Sequence, residues 1–302
     1  MWTNNDVTVE LPTQTGYTTV YSTTGIPTVD STKYSGSFPV KENCKIYYAY
    51  SDGVNVGSHG TLNITNIDKE GPVISSLSAD KTANTMGPVK LTAVVQDSMS
   101  GIVAIAWSNS AVQPTETSST FAMGKWFEIN VGTALCTRGL TGNYQNADYY
   151  FWVKDYVGNV SHKLYTVSNI VNWGCSFSPY YDGNTGGLIN DGWPGSSTDK
   201  GYWNSGGYSA TCSFSFDKPL YATSVTINTI ADTWHTDYTN VKFYYLLSDG
   251  VTWQYMGEFR CNGGEDVTIS CGATIYGMKM ELNSGPNPYN TWVGLNHVLI
   301  NE

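Results

Sequence analysis

Short runs of alternating apolar and polar residues, separated by polar turns, make up most of this chain. Two clear runs are Val7–Leu11 and Val89–Val95, in which every second side chain is apolar. A period of two puts alternate side chains on opposite faces of a strand, whereas a helical face needs a period near 3.6. Turn signals recur about every 8–12 residues, a spacing typical of β-sandwiches. The pattern therefore predicts an all-β chain.

An internal repeat organises the first half of the sequence. The aromatic strand and Asp-containing turn of Tyr47–Val56 recur at Tyr150–Val160, with one extra residue in the turn. The shorter segment Val20–Ser22 likewise recurs at Ala106–Ser108. Two copies of one strand-and-turn pattern predict two β-sandwich domains, of which the first is the shorter.

The segment between the two copies, Asn66–Pro72, is polar and is broken by a Gly-Pro pair, as expected for a linker. His59 and His162 follow the two Asp-containing turns at matching positions, which indicates a role in the fold. A different pattern begins after the second copy. The predicted domains are residues 1–68, 69–170 and 171–302.

The stretch Tyr221–Phe259 carries the clearest local signals of the third domain. The pair Asp249-Gly250 lies between two ring-rich runs and predicts a hairpin, because that turn needs positive φ. The loop Ala231–Asn240 before it combines rings with charge. A solvent-exposed loop gains nothing from such rings unless they pack inward or bind a ligand. The rings of this loop belong to Trp234, His235 and Tyr238.

Composition and charge limit the classes of partner. Of 302 residues 40% are hydrophobic and 13% charged, about half the charged share of a usual soluble domain. The net charge is −10, and residues 171–302 hold 12 acids against 5 bases. An acidic domain repels phosphate backbones and anionic lipid, so we expect no nucleic-acid partner. No apolar run approaches 18 residues, so we expect no membrane insertion.

The amino terminus has no basic region followed by an apolar run, as a secretory signal would have. The segment Asp6–Glu10 already alternates like a strand. We interpret the chain as a piece of a longer protein, with export by another route as the alternative.

Six cysteines form no C-x-x-C pair and have no histidine at zinc-ligand spacing, so a metal cluster is not expected. In the third domain, Cys261–Cys271 or Cys175–Cys212 are possible disulfides. Cys212 alternates with two phenylalanines, which equally favours a buried thiol.

Residues 69–170 resemble the bacterial immunoglobulin-like repeats of large surface proteins, and residues 1–66 look like a degenerate copy. The Cys…Trp…Cys pattern of antibody domains is absent from the sequence. The resemblance implies immunoglobulin-like β-sandwiches and says little about a ligand. It is carried by Gly71–Ile74, Val94–Ile102, Trp107–Ser108 and Phe151–Val160.

Residues 171–302 resemble a discoidin-like domain, the jelly-roll β-sandwich of coagulation-factor C domains and of many bacterial carbohydrate-binding modules. Many members of that family bind terminal sugars, and others bind protein or lipid. The resemblance also implies a structural calcium held by a Glu before the last strand. Here Asn296 or His297 takes that place, and Asp191 remains as a possible ligand. The motifs are Leu188–Gly192, Trp203–Ser205, Ser213–Leu220, Ser224–Ile227, Ser248–Trp253, Met278–Leu282 and Gly294–Ile300.

Strand order predicts which loops of the third domain lie together. If each strand crosses the sandwich once, successive loops alternate between its two ends. One end, here called the near end, then collects Asn190–Tyr208, Ala231–Asn240, Arg260–Asp266 and Asn283–Val293. The opposite end has only small turns, predicted at Asp217–Tyr221, Asp249-Gly250 and Gly272–Thr274. Rings combined with hydrogen-bonding groups suit a sugar, whose C–H face stacks on a ring while its hydroxyls need donors and acceptors. The predicted ligand-binding residues are Trp234, His235, Tyr238, Arg260, Tyr289, Trp292 and Trp193.

Other rings are expected to serve the fold. Trp203 and Trp253 lie within the discoidin-like motifs and are predicted to be core residues, and His297 is predicted to be structural. No hydrolase, zinc-protease, nucleotide or EF-hand motif occurs in the sequence, so we expect no enzyme.

The sequence therefore favours a non-catalytic extracellular or bacterial cell-surface segment, in which immunoglobulin-like spacers present a discoidin-like module that binds a glycan or polysaccharide. The alternative is a structural or receptor-binding part of a phage tail or surface fibre, with the same module contacting other protein subunits at a virion surface. The only cofactor that the resemblance implies is a structural calcium in the third domain.

Overall fold

The computed structural model describes residues 1–87, 89–132, 136–140, 146–178, 182–184, 202–230, 238–284 and 293–302. Their regular structure is β, with 22 strands in five sheets across these ranges, and the all-β prediction is confirmed. The described residues contain no helix with the length and apolar character that crossing a membrane requires.

The chain forms two compact units. The first holds Met1–Ala79, Leu91–Thr141 and Ala147–Thr166, and the second holds Asp80–Lys90, Gly142–Asn146 and Val167–Glu302. The division into three domains, with boundaries after residues 68 and 170, stays a prediction.

The first six strands pair only with one another in the described part of the first unit, in a two-stranded and a four-stranded sheet of order β3-β2-β5-β6. Their apolar side chains enclose a core that includes Val9, Val40 and Ile46. The strands are β1 (Val7–Val9), β2 (Thr18–Ser22), β3 (Thr32–Lys33), β4 (Phe38–Val40), β5 (Cys44–Ser51) and β6 (Gly60–Ile64).

The next eight strands form a three-stranded sheet of order β12-β8-β7 and a five-stranded sheet of order β10-β11-β9-β13-β14. Trp107 and Phe151 are wholly buried, with ring centroids 4.9 Å apart in an edge-to-face contact. The strands are β7 (Val73–Ala79), β8 (Leu91–Gln96), β9 (Ile102–Ser108), β10 (Thr117–Ser118), β11 (Trp126–Gly132), β12 (Cys136–Leu140), β13 (Ala147–Asp155) and β14 (Val160–Val167).

The internal repeat is visible in the register of the strands. Ser22 of β2 lies opposite Tyr47 of β5, and Ser108 of β9 lies opposite Tyr150 of β13. Both pairs come from the segments that match in sequence. The two copies therefore share strand pairing as well as sequence.

The two repeat histidines contact equivalent rings. His59 lies 6.0 Å from the ring of Tyr47 at an interplanar angle of 49°, and His162 lies 6.3 Å from the ring of Tyr150 at 45°. Equivalent contacts at equivalent positions agree with the expected role of these histidines in the fold.

An asparagine side chain repeats in the same way. The side-chain Nδ2 of Asn43 donates to the carbonyl of Ile67, and the side-chain Oδ1 of Asn43 accepts from the N–H of Ile67, both at 2.8 Å. The amide of Asn146 makes the same two bonds to Ile170 at 2.7 and 3.0 Å. A side-chain amide has a donor and an acceptor side by side, so it satisfies both backbone groups of one residue as a neighbouring strand would.

The second unit contains one eight-stranded sheet of order β16-β17-β22-β18-β21-β19-β20, with β15 also paired to β18. Side chains from both halves of the longest strands, such as Phe214 and Val225 of β18, belong to one hydrophobic core. The sheet therefore folds over onto itself around that core. The strands are β15 (Trp173–Ser178), β16 (Asp182–Asn184), β17 (Tyr202–Asn204), β18 (Ser209–Thr229), β19 (Tyr238–Leu246), β20 (Trp253–Asn262), β21 (Asp266–Ser284) and β22 (Gly294–Asn301).

The predicted turns within β18 and β21 are wrong. The sequence predicts breaks at Asp217–Tyr221 and Gly272–Thr274, but both strands run through these points with shifts in their mutual register. Gly272 has φ of +60°, a conformation that fits a bulged position. A bulge bends a strand without ending its ladder, so the local turn signals correspond to bends.

The five cysteines that the structure describes are free thiols, so neither predicted disulfide forms. In the strand register Cys212 lies opposite Phe177 and Cys175 lies opposite Phe214, so the two cysteines are not directly opposite each other. Cys261 is also wholly buried, and burial raises the pKa of its thiol to about 11. The interpretation of Cys212 as a buried thiol is confirmed.

Candidate functional site

The strand pairing brings the edges of several near-end loops together. Tyr238, the first residue of β19, lies opposite Asn262 at the end of β20. The next residue, Thr239, lies opposite Ser284 at the end of β21. The N–H of Ser284 in turn donates to the carbonyl of Tyr208, which precedes β18, at 2.8 Å. Four strand ends therefore meet, as the alternation of loops predicts.

Tyr238 and Arg260 form the best-defined contact at this end. The guanidinium carbon of Arg260 lies 3.6 Å from the centroid of the Tyr238 ring. Their chain neighbours Thr239 and Cys261 are buried, so strand alternation directs Tyr238 and Arg260 to the outside of the sheet. The ring holds the guanidinium in place by a cation–π contact and leaves its N–H groups around the rim.

Amide side chains lie next to this pair on the neighbouring strands and turn. Asn240 lies opposite Arg260 on one side and Asn283 on the other. On the adjoining turn, the Nδ2 of Asn262 donates to the Oε2 of Glu265 at 2.9 Å. Amides offer both donors and acceptors, which hydroxyl-rich ligands require.

The structure describes two of the seven predicted ligand-binding residues, Tyr238 and Arg260, and brings them into contact. The other positions lie outside the described residues, and their roles stay predictions. These are Trp193, Trp234, His235, Tyr289 and Trp292, together with the predicted metal ligand Asp191.

The residues that replace the family's calcium-holding Glu make hydrogen bonds within the fold. The Nδ2 of Asn296 donates to the Oδ1 of Asn228 at 2.9 Å and to the carbonyl of Thr229 at 3.0 Å. His297 is 4% exposed, with its Nε2 3.3 Å from the Oδ1 of Asp266. An imidazole and a donating amide do not offer the hard anionic oxygen that calcium prefers. The calcium stays a prediction that rests on Asp191.

The two tryptophans predicted to be core residues differ. Trp203 is wholly buried, with its ring centroid 4.7 Å from that of Phe177, and its prediction is confirmed. Trp253 is only half-buried, so its prediction is wrong. The reason is topological, because among the described strands β20 is the last in the sheet order and has a neighbour on one side only.

The first unit contains a buried cluster of carboxylates that the sequence analysis does not predict. Oxygen atoms of Asp68, Asp97 and Asp155 lie within 4.8 Å of one another. All three carboxylates accept backbone N–H groups of nearby turns, so hydrogen bonding within the fold accounts for them. The donors are the N–H groups of Glu70, Met99, Ser100, Gly101, Val157 and Asn159.

No protein-family model and no curated protein matches the chain. Among solved structures, it is similar to a pectin binding carbohydrate binding module, with 18% sequence identity and a TM-score of 0.32 over 43% of this chain and 89% of that chain. It is also similar to a GH29 fucosidase of Ruminococcus gnavus in complex with fucose, with 15% identity and a TM-score of 0.33 over 43% of this chain and 25% of that chain. A chitosan-binding module of Paenibacillus gives 14% identity and a TM-score of 0.32 over 43% of this chain and 96% of that chain.

Proposed function

We propose that the second unit is a non-catalytic carbohydrate-binding module that binds a glycan at its near end. The observation that carries the proposal is the stacked pair of Tyr238 and Arg260, with a guanidinium-to-ring distance of 3.6 Å. The pair faces outward beside the amides of Asn240 and Asn283. It therefore presents a fixed set of donors at a place where several loops begin.

The stacking lowers the cost of binding. A free arginine side chain loses rotamer freedom when it binds a ligand, at about 0.5–1.5 kcal/mol for each ordered side chain. The Tyr238 ring already holds Arg260, so part of that loss occurs on folding. The fixed N–H groups of the guanidinium are then available to sugar hydroxyls without further ordering.

The near-end loops contain further rings that could contact a bound sugar. Trp234, His235, Tyr289, Trp292 and Trp193 lie on loops that the strand order assigns to this end. A sugar stacking on one of these rings would place its hydroxyls within reach of Arg260 and the neighbouring amides. A shallow site of this kind binds weakly, and it gains strength when several copies engage one surface.

The setting of the module is part of the same proposal. The first unit, with its repeated β-sheet pattern, serves as an immunoglobulin-like spacer, and the chain acts outside the cell or at a bacterial cell surface. Binding to a cell-surface glycan or polysaccharide then requires no chemistry beyond hydrogen bonding and ring stacking.

A glycan array probed with the whole 302-residue chain tests the proposal. The expected result is binding to at least one class of neutral, sialylated or plant sugar, weakened about tenfold by Arg260→Gln. Lys163→Gln is the matched control, because it removes one positive charge from an exposed position of the first unit. Silence of the wild-type chain across all three classes, or equal loss in both variants, contradicts the proposal.

A further inference from the structure

Three buried carboxylates of the first unit lie close enough together to share one ion. One oxygen atom from each of Asp68, Asp97 and Asp155 lies within 4.8 Å of the others, and the three residues are 1%, 7% and 1% exposed. Calcium binds oxygen atoms at about 2.3–2.6 Å, so two oxygen atoms on one calcium ion lie at most about 5 Å apart. The spacing of the cluster is therefore compatible with a calcium site.

The hydrogen bonds of the cluster bring no positive charge to it. The donors are backbone N–H groups and the side-chain amide of Asn159, whose Nδ2 donates to the Oδ2 of Asp155 at 2.7 Å. Within the described ranges no Lys, Arg or His forms an ion pair with any of the three carboxylates, and Lys69, the chain neighbour of Asp68, pairs with Asp6. Buried carboxylates without a counter-charge are costly, so the cluster favours a cation.

The carboxylates also keep acceptor capacity for an ion. The Oδ1 of Asp97 accepts the N–H groups of Met99 and Gly101 at 2.9 and 2.8 Å, and no hydrogen bond to its Oδ2 is found among the described residues. Asp68 accepts a single N–H group on each of its oxygen atoms. An ionised carboxylate has about four lone-pair sites, so these bonds leave sites that an ion can use.

The hydroxyl of Ser100 is an independent indication of a ligand. Ser100 is 9% exposed, and its Oγ is buried without a hydrogen-bond partner in the part of the chain that the structure describes. Its N–H donates to the Oδ2 of Asp68 at 2.9 Å. The carbonyl of the next residue, Gly101, accepts the N–H of Tyr156, the chain neighbour of Asp155, at 3.0 Å. Ser100 is thus held among the carboxylates, where a bound cation would give its buried oxygen a partner.

A cavity reaches from the cluster to the surface. Its volume is about 210 Å³, and it is lined by the buried Asp68 and Asp97 together with the exposed Glu70 and Ser98. Calcium takes about 6–8 oxygen ligands, more than three carboxylates and one hydroxyl supply by single contacts. One water needs at least about 10–15 Å³ of such volume, so the cavity can hold the waters that complete the shell.

We propose that Asp68, Asp97 and Asp155 bind one calcium ion in the first unit, with the hydroxyl of Ser100 and water as further ligands. Asp68 belongs to the segment between the two repeat copies, whereas the other two carboxylates belong to the second copy. The ion therefore ties that segment to the second copy. This site is separate from the calcium that the discoidin-like resemblance implies, because that calcium belongs to the other unit.

Calorimetric titration of the chelator-treated whole chain with calcium chloride tests the site. Asp97→Asn should weaken calcium binding at least about tenfold, because it removes one charge while the asparagine Oδ1 can still accept the N–H groups of the loop. Asp52→Asn, at the exposed turn of the first copy, and Asp191→Asn, in the second unit, are the controls and should leave this affinity within about twofold. No calcium binding by the wild-type chain, or an affinity that Asp97→Asn leaves unchanged, overturns the proposal.

Thermal unfolding with and without calcium gives a readout that a purely structural carboxylate would not change. In chelator, Asp97→Asn should melt at or above the wild-type temperature, because one of three mutually repelling charges is gone. Excess calcium should raise the melting temperature of the wild-type chain and raise that of the variant much less. An equal lowering of the variant's melting temperature in both conditions contradicts the proposal.

Ser100→Ala separates the hydroxyl from the charges. It removes a buried oxygen that has no partner among the described residues, so metal-free stability should not fall. Calcium binding should weaken several-fold, because the ion loses one ligand. Unchanged calcium affinity in this variant would overturn the assignment of Ser100 as a ligand.

Discussion

The two units place the same kinds of side chain in opposite environments. In the first unit Trp107 is wholly buried, and the turn carboxylate of Asp155 is 1% exposed. In the second unit Tyr238 and Tyr244 project outward, each beneath a cationic group. Trp107 and Asp155 are thus enclosed by the first unit, whereas Tyr238 and Tyr244 lie on an outward face of the second unit. Burial, more than residue type, separates a core aromatic from an outward-facing aromatic here.

The second unit itself contains a buried and a half-buried tryptophan that can be compared directly. Trp203→Ala removes a wholly buried ring packed on Phe177 and is expected to lower the free energy of unfolding by about 3–5 kcal/mol. Trp253→Ala removes a half-buried ring from the last strand of the sheet order and should lower it by about 1 kcal/mol. Urea unfolding of both variants checks the difference. Equal losses would show that Trp253 belongs to the core, as the sequence predicts.

The Asp-containing turns of the repeat offer a smaller contrast within the first unit. Asp155 accepts N–H groups of Val157 and Asn159 at 3.0 and 2.8 Å, and Asp155→Ala leaves these donors without that carboxylate in a buried place. We expect a loss of about 2 kcal/mol in the free energy of unfolding. Asp52 makes the equivalent bonds in the first copy but is exposed, so Asp52→Ala should cost clearly less. A larger effect at Asp52 would contradict the role assigned to burial.

The stability contributions of Asp155 and Asp52 are expected to depend on pH in opposite directions. This effect should be smaller than those of the tryptophan and Asp→Ala substitutions above. Burial raises the pKa of Asp155, and the nearby Asp68 carboxylate adds to the shift. The folded state then binds more protons than the unfolded state between the ordinary and the raised pKa, so this contribution to stability falls as pH rises through that window. Asp68→Asn should reduce the fall, which unfolding measurements at several acidic pH values would detect.

Asp52 should respond in the other direction. Backbone N–H groups of Asn55 and Val54 lower the pKa of Asp52. Its contribution is therefore complete above the ordinary pKa of an aspartate and is lost as pH falls through the lowered value. Comparison of Asp52→Asn with Asp155→Asn over the same acidic range tests the sign. If both substitutions changed the pH dependence of stability in the same direction, the two carboxylates would not lie in the opposite environments described above.

Sequence periodicity predicts the β class and the repeat because both are local. The matching of Val20–Ser22 with Ala106–Ser108 follows from residue similarity, and the structure adds that Ser22 lies opposite Tyr47 and Ser108 opposite Tyr150. The near-end location of Tyr238 and Arg260 also follows from strand order alone. Alternation then places both on one face.

Features that depend on distant segments are missed for a physical reason. Asp68, Asp97 and Asp155 come from three separated segments, and local spacing does not bring them together. The exposure of Trp253 follows from the position of β20 at the end of the sheet order, which the turn motif around it does not specify. Gly272 resembles a turn residue locally, but long-range pairing makes it a bend within a strand.

The most direct test of carbohydrate binding at the near end is a double-mutant cycle on the stacked pair, measured as the affinity of the whole chain for its best array glycan. If Tyr238 acts by holding Arg260, then Arg260→Gln should weaken binding about tenfold in the wild-type chain and much less in the Tyr238→Ala variant. The double variant should therefore bind about as weakly as either single variant. Fully additive losses, or unchanged affinity in all three variants, would contradict the assignment of the pair as one binding element.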